Sequence, residues 1–170
     1  MEIIVLSDTH MPKKAKQLPE RFLKELKNVD AIIHAGDWQT LELYETLKDY
    51  APVYGVYGNV DGEEVQNKFP AKQLLDWEGY RIGIVHGHGE KKTTEKRALE
   101  SFENGAVDVL IYGHSHIPVL RYFKRTLLFN PGSLTDKRRL PMYSFGKLSL
   151  TKAGIHRSEE HTSELQSPVT

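Results

Sequence analysis

The sequence has no cysteine. That excludes disulfides, thiolate metal sites and cysteine nucleophiles together, and it fits a cytoplasmic protein. Nor does it have a surplus of charge: 23 Lys and Arg balance 23 Asp and Glu. A protein whose main task is sequence-independent nucleic-acid binding carries a basic excess, so that class is disfavoured. No run approaches the ~18 apolar residues of a membrane span. Met1-Glu2 leads into only four apolar residues, with no basic stretch of a signal peptide before them. Internal repeats, linkers and low-complexity segments are missing. So are a Walker A loop and a G-x-S-x-G elbow, and Gly87-His88-Gly89 has Lys92 where a dinucleotide fingerprint needs glycine. What is there is 170 residues, 39% hydrophobic and 27% charged, enough for one globular domain with a sizeable core.

Short apolar runs at Ile3–Leu6, Ala31–Ile33, Val53–Tyr57, Ile82–Val85 and Val107–Tyr112 are rich in Ile, Val and Tyr, as buried strands are. Between them, Pro19–Leu26, Thr40–Leu47 and Thr94–Glu103 place apolar residues at helical spacing. This alternation predicts an α/β fold with a largely parallel sheet core. After Gly113 come strands without helices, Val119–Phe123, Leu127–Phe129 and Met142–Leu150, which predict a second, mixed or antiparallel sheet. His156 to Thr170 has two apolar residues and no period. It reads as a polar tail, non-native or frayed, outside a domain of residues 1–155. The tail carries a net −2, leaving the rest near neutral at +2.

Each of the five runs ends in polar chemistry: Asp8-Thr9-His10, Gly36-Asp37, Gly58-Asn59-Val60-Asp61, His86-Gly87-His88, and Gly113-His114-Ser115-His116. Carboxyl ends of strands are where open α/β sheets build their sites. Residues two apart in an extended segment point the same way, which pairs Asp8 with His10 and His114 with His116. Each motif alone also fits an ordinary turn; five in succession after strands do not. Mixed carboxylate, carboxamide and imidazole donors suit Mn, Fe, Zn, Ni or Co. Seven candidate ligands exceed one tetrahedral site and suit two metals sharing a carboxylate.

The succession D-x-H, G-D, G-N-x-D, H-G-H, G-H-x-H resembles the signature of the calcineurin-like metallophosphoesterases. The later Asn130-Pro131-Gly132-Ser133 turn is similar to their small single-domain bacterial and archaeal phosphodiesterase branch. The resemblance covers nearly all of residues 1–150. It implies a four-layer α-β-β-α sandwich, two packed mixed β-sheets with helices outside. It also implies a binuclear phosphodiesterase: Asp8, His10 and His116 on one metal, Asn59, His86 and His114 on the second, Asp37 bridging. A metal-bridging water would attack phosphorus in line with the leaving oxygen of a small phosphodiester. Mn2+ leads among the divalent ions, with Ni2+, Zn2+, Fe2+ or Co2+ as alternatives. Asp61 would stand behind, orienting a ligand or that water. Family members are often dimers or larger, which implies a homodimer or higher homo-oligomer.

Larger members have histidine after the motif asparagine to protonate the leaving group; here it is Val60, which cannot. His88 is the candidate substitute and, with Asn59, a candidate substrate contact, although a solvent-facing role fits His88 equally. His34 reads as structural. Lys13, Lys14 and Lys16, Lys91 and Lys92, and Lys137, Arg138 and Arg139 are candidates for phosphate contact. The competing reading is a non-catalytic protein-binding scaffold, as in the retromer relative of the branch. Trp38, Leu41, Tyr44 or Tyr122 would then serve an outer face.

Overall fold

The computed structural model describes residues 1–163. Its layering starts in β1 (Glu2–Leu6), where successive side chains face opposite ways. Ile3 and Val5 enter an apolar cluster with Ile82, Ile84, Val109, Ile111 and Phe129. Ile4 and Leu6 enter another with Phe22, Leu26, Leu43 and Leu47. A strand buried on both faces needs apolar residues at both parities, hence the continuous run. Each such side chain contributes about 1.5–3 kcal/mol on full burial.

β2 (Ala31–His34) and β3 (Val53–Gly55) run parallel to β1 on one side. β9 (Tyr143–Thr151) runs antiparallel to β1 on the other, with β10 (Gly154–Thr162) beyond it. The second sheet has β4 (Lys72–Trp77), β5 (Tyr80–Val85), β6 (Val109–Ile111), β8 (Thr126–Asn130) and β7 (Val119–Phe123), in that spatial order. β5, β6 and β8 are parallel and both edges antiparallel. α1 (Glu20–Glu25), α2 (Glu42–Leu47) and α3 (Glu63–Lys68) cover the first sheet through Phe22, Leu43, Leu47 and Val65. α4 (Thr94–Glu100) covers the second, with Ala98 against Leu110, Tyr112 and Leu128. The result is the expected four-layer sandwich of two mixed sheets with helices outside. Among the described residues no helix is long and apolar enough to cross a membrane.

The structure departs from expectation in three places. The five motif-bearing strands do not share one sheet: β1, β2 and β3 lie in the first, β5 and β6 in the second. α3 and β4 were not foreseen, because each buries a single apolar residue, Val65 and Leu75. The boundary at 155 cuts through β10, where residues 156–162 pair with 143–149. An edge strand needs only its backbone to pair and accepts charged side chains, so composition gave no sign of it. The rest of the expected tail, 164–170, lies outside the described residues.

Candidate metal centre

The carboxyl ends of both sheets face one gap, and each motif strand delivers side chains into it. Asp8, His10 and His116 offer ligand atoms within 4.8 Å of one another, and so do Asp37, His86 and His114. Asp37 Oδ2 stands between the groups, 3.5 Å from His10 Nε2 and 3.2 Å from His86 Nε2. The Asn59 carboxamide oxygen lies 3.1 Å from His86 Nε2 and 3.2 Å from His114 Nδ1. All seven residues singled out as ligands are therefore brought together.

Five of them, Asp8, His10, Asp37, His114 and His116, have left-handed backbone, with φ between 44° and 70°. That conformation is uncommon outside glycine and turns the chain sharply at the strand end. Glycine is required where the segments touch: a Cβ on Gly113 would lie 1.9 Å from Ser7 Oγ, and one on Gly36 would lie 2.7 Å from His86 Nδ1. Outside the gap, His86 Nδ1–H donates to the Ala35 carbonyl and His116 Nδ1–H to the Asp136 carbonyl, both at 2.7 Å. A carbonyl only accepts, so the tautomer is settled and both Nε2 atoms face inward. Ser133 Oγ donates to the Asp8 carbonyl and Thr135 Oγ1 to that of Thr9, latching the Asn-Pro-Gly-Ser turn onto the first ligand loop.

Burial raises the Asp8 carboxyl, against the lowering charges of His86 and His116. Burial also pushes Asp37 up, but the His86 hydrogen bond and charge, with the Val60 amide, bring it down to about 2. For His86, burial disfavours the imidazolium; Asp37, Asp8 and the Ala35 carbonyl outweigh it and raise the group to about 9. Burial and the His86 charge lower His114 to about 4, and burial lowers His10.

Asp61 is buried behind the gap. Its carboxylate accepts the backbone N–H groups of Asp37 (2.9 Å), Gly58 (2.7 Å) and Gln39 (2.7 Å). It thus ties the Asp37 loop to the loop carrying Asn59. His88 is exposed at the rim, its ring 5.5 Å from that of His86 and 6.5 Å from that of His114. His34 is buried: the Gly36 amide donates to its Nδ1, and its Nε2–H reaches Thr9 Oγ1. Trp38, expected outside, is fully buried, stacked 3.7 Å from the His34 ring and donating to the Val56 carbonyl. Tyr122 is exposed, while Leu41 and Tyr44 are half-buried. Two supporting residues had no sequence signal. Asp136 acts through its backbone carbonyl, and Arg97 in α4 donates to the carbonyls of Gly87, Lys91 and Lys92.

Among the described residues, Asp8 Oδ1, His10 Nε2 and His116 Nε2 are buried without any hydrogen-bond partner. An unmade buried hydrogen bond costs about 1–3 kcal/mol. Three such atoms converging on one spot are what a divalent cation satisfies, and N/O donors suit a transition metal. The model of the calcineurin-like phosphoesterase superfamily domain matches residues 1–153. A protein named as a probable metallophosphoesterase of Methanocaldococcus jannaschii is 39% identical over 151 residues, covering 88% of this chain and 76% of its own. A phosphodiesterase of the same organism is 31% identical over 147 residues, covering 78% and 83%. Among solved structures, Vps29 of Chaetomium thermophilum superposes with TM-score 0.77 at 20% identity, over 96% of this chain and 98% of its own, a likeness of fold.

Proposed function

The chain belongs to the calcineurin-like phosphoesterase superfamily, and from that premise we propose that it hydrolyses a small phosphodiester at a two-metal centre. The observation carrying this reading is the pair of ligand groups joined at Asp37 Oδ2, with three buried donor atoms left unpartnered. Asp8, His10 and His116 would hold one ion, and Asn59, His86 and His114 the other, with Asp37 between. Two divalent ions, Mn2+ in our reading, would supply positive charge to the phosphoryl oxygens and acidity sufficient to make a water nucleophilic near neutral pH.

The chain's own residues set the geometry. The Ala35 and Asp136 carbonyls keep the Nδ1 protons of His86 and His116 outward, leaving Nε2 free to ligate. The Val60 amide holds Asp37 Oδ1 at 3.1 Å, fixing Oδ2 in the gap. Asp61 would act through the backbone amides of Asp37, Gly58 and Gln39, not on substrate. The Val60 side chain is 46% exposed and offers no proton. His88, at the rim with its ring 6.5 Å from that of His114, would then carry a proton to the leaving oxygen, and Asn59, whose oxygen lies 3.2 Å from His114 Nδ1, would also contact substrate. Without that transfer, the loss of a general acid would cost about 10²–10⁴-fold with poor leaving groups, and aryl and other activated diesters would react best.

The test is turnover of bis(p-nitrophenyl) phosphate by chelator-stripped protein with Mn2+, Ni2+, Zn2+ or Mg2+ restored singly, beside Asp37→Ala. Restored turnover that Asp37→Ala abolishes supports the reading. Silence with every metal in folded protein rejects it in favour of a protein-binding scaffold. The exposed Tyr122 and Phe123 on the β7 edge would then be the first surface to probe.

A further inference from the structure

Three basic groups flank the ligand loops in the sequence, and the structure separates them. Lys92 pairs with Glu100 at 2.6 Å. The carbonyls of Lys91 and Lys92 are both bound to Arg97, which ties that loop back onto α4. Lys16 lines a groove shared with Glu20 and Leu23 of α1. The remaining five cations, Lys13 and Lys14 after His10, and Lys137, Arg138 and Arg139 after the Asn-Pro-Gly-Ser turn, are over 120 positions apart in the chain, yet the loops that carry them meet.

Two contacts bring the two loops together, and a third ties them to a ligand histidine. Lys14 Nζ lies 3.8 Å from Asp136 Oδ2, the same oxygen lies 3.8 Å from His116 Nδ1, and Thr135 Oγ1 is bonded to the Thr9 carbonyl. Two contacts thus separate an exposed ammonium from a ligand imidazole. Among the described residues, Asp136 is the one carboxylate ion-paired with any of the five. Lys137 lies over the Tyr143 ring, while Lys13, Arg138 and Arg139 are exposed and, among the described residues, have no ion pair. In a chain of zero net charge, this side of the gap is a local cationic field. It reaches about 8 Å at physiological salt, which spans a neighbouring phosphate but not a long strand.

We propose that this rim is a second phosphate subsite, so that the preferred substrate is a small phosphodiester bearing at least one further phosphate. The scissile group sits in the gap and the additional phosphate meets Lys13, Lys14 and the Lys137–Arg139 loop. The inference rests on the phosphodiesterase reading for its substrate, but the rim is tested without turnover.

The probes are adenosine 3′,5′-bisphosphate and adenosine 5′-monophosphate, titrated calorimetrically into the full chain loaded with Mn2+. Exposed ion pairs contribute about 0.2–1 kcal/mol each, so the bisphosphate should bind roughly tenfold more tightly. That ratio should shrink with added salt and approach one in Lys13→Gln/Arg138→Gln/Arg139→Gln, whose exposed substitutions spare the core. Lys91→Gln, in the loop that Arg97 ties to α4, should keep it. Equal binding of the two probes by the wild-type protein, or a ratio that survives the triple substitution, would overturn the proposal. A salt-sensitive, rim-dependent ratio without diester turnover would reject the phosphodiesterase reading and leave the phosphate subsite standing. Turnover without the ratio would do the reverse.

Discussion

Asp61 offers the sharpest test of how the centre is held. Its carboxylate is buried and accepts three backbone N–H groups, two on Oδ2 from Asp37 and Gly58 and one on Oδ1 from Gln39. Hydrogen bonds to a charged acceptor are worth about 1.5–3 kcal/mol each. Water entering the vacated space recovers part of that, so Asp61→Ala should cost about 3–5 kcal/mol. That is a large share of the 5–15 kcal/mol typical of a domain. In Asp61→Asn the carboxamide oxygen can keep the Asp37 and Gly58 amides, while its NH2 faces the Gln39 N–H, donor against donor. The loss there should be about 1–3 kcal/mol. Urea unfolding in chelator should rank wild type above Asn above Ala. Because the same carboxylate positions Asp37 and the loop carrying Asn59, Mn2+ affinity should fall in that order too. An Asp61→Ala protein within about 1 kcal/mol of wild type would refute the reasoning. So would an Asn variant with intact stability and metal affinity but no turnover, which would put Asp61 against the substrate.

Four further outcomes are expected. His86, raised to about 9 in the metal-free protein, is imidazolium at pH 7.5 and must lose its proton to ligate. Calorimetry of Mn2+ binding in buffers of different ionisation enthalpy should therefore show about one proton released at pH 7.5 and progressively less above pH 9, and a buffer-independent enthalpy would sink this. The same raised value stabilises the metal-free fold fully below about pH 6.5, an increment lost as pH rises through 9 in chelator. Arg97→Gln removes the hydrogen bonds to the Gly87, Lys91 and Lys92 carbonyls, and Lys91 and Lys92 are both left-handed. Amide exchange across 87–92 should rise at least tenfold with metal affinity retained, whereas unchanged protection would show the loop holds itself. A chain ending at Ile155 loses the pairing of residues 156–162 with β9, the Arg21–Glu160 ion pair and the Arg157 contact with the Tyr122 ring, while Phe145, Leu148 and Leu150 of β9 stay in the core. It should keep metal-dependent turnover, and aggregation or loss of the metal centre would show that 156–170 belong to the domain.

The centre was legible because its chemistry is written at strand ends. Asp8, Asp37, Asn59, His86 and His114 each follow an apolar run within a few residues, most beside a glycine that the crowding explains. The division of the runs between two sheets was not legible from the runs themselves, because a buried parallel strand reads alike in either sheet. Trp38 was misjudged for a related reason. A loop tryptophan looks exposed until a buried His34 and Phe69 are found stacked on its two sides. Arg97 and Asp136 act on backbone or through backbone, and such contacts leave no residue-type pattern to read.

The left-handed ligands explain why so much of the fold is devoted to bracing. Each non-glycine residue in that conformation costs about 1–2 kcal/mol, and five of the seven ligand positions adopt it. Glycine would remove the strain but also the ligand, so side chain and backbone demands conflict at every one of these positions. The conflict is tolerated because the turns are tied from outside. Asp61 ties the Asp37 loop, Ser133 and Thr135 tie the Asp8 loop, and the Asn130 side chain donates to the Gly113 carbonyl beside His114. These braces come from β8, the turn after it and the loop after β3, elements that contribute no imidazole. The same bends that cost stability aim Asp8 Oδ1, His10 Nε2 and His116 Nε2 into a gap where, among the described residues, none of them has a hydrogen-bond partner. A purely structural loop would relax to satisfy those atoms. Their persistence, held by partners distant in sequence, is the physical argument that the gap is built for cations.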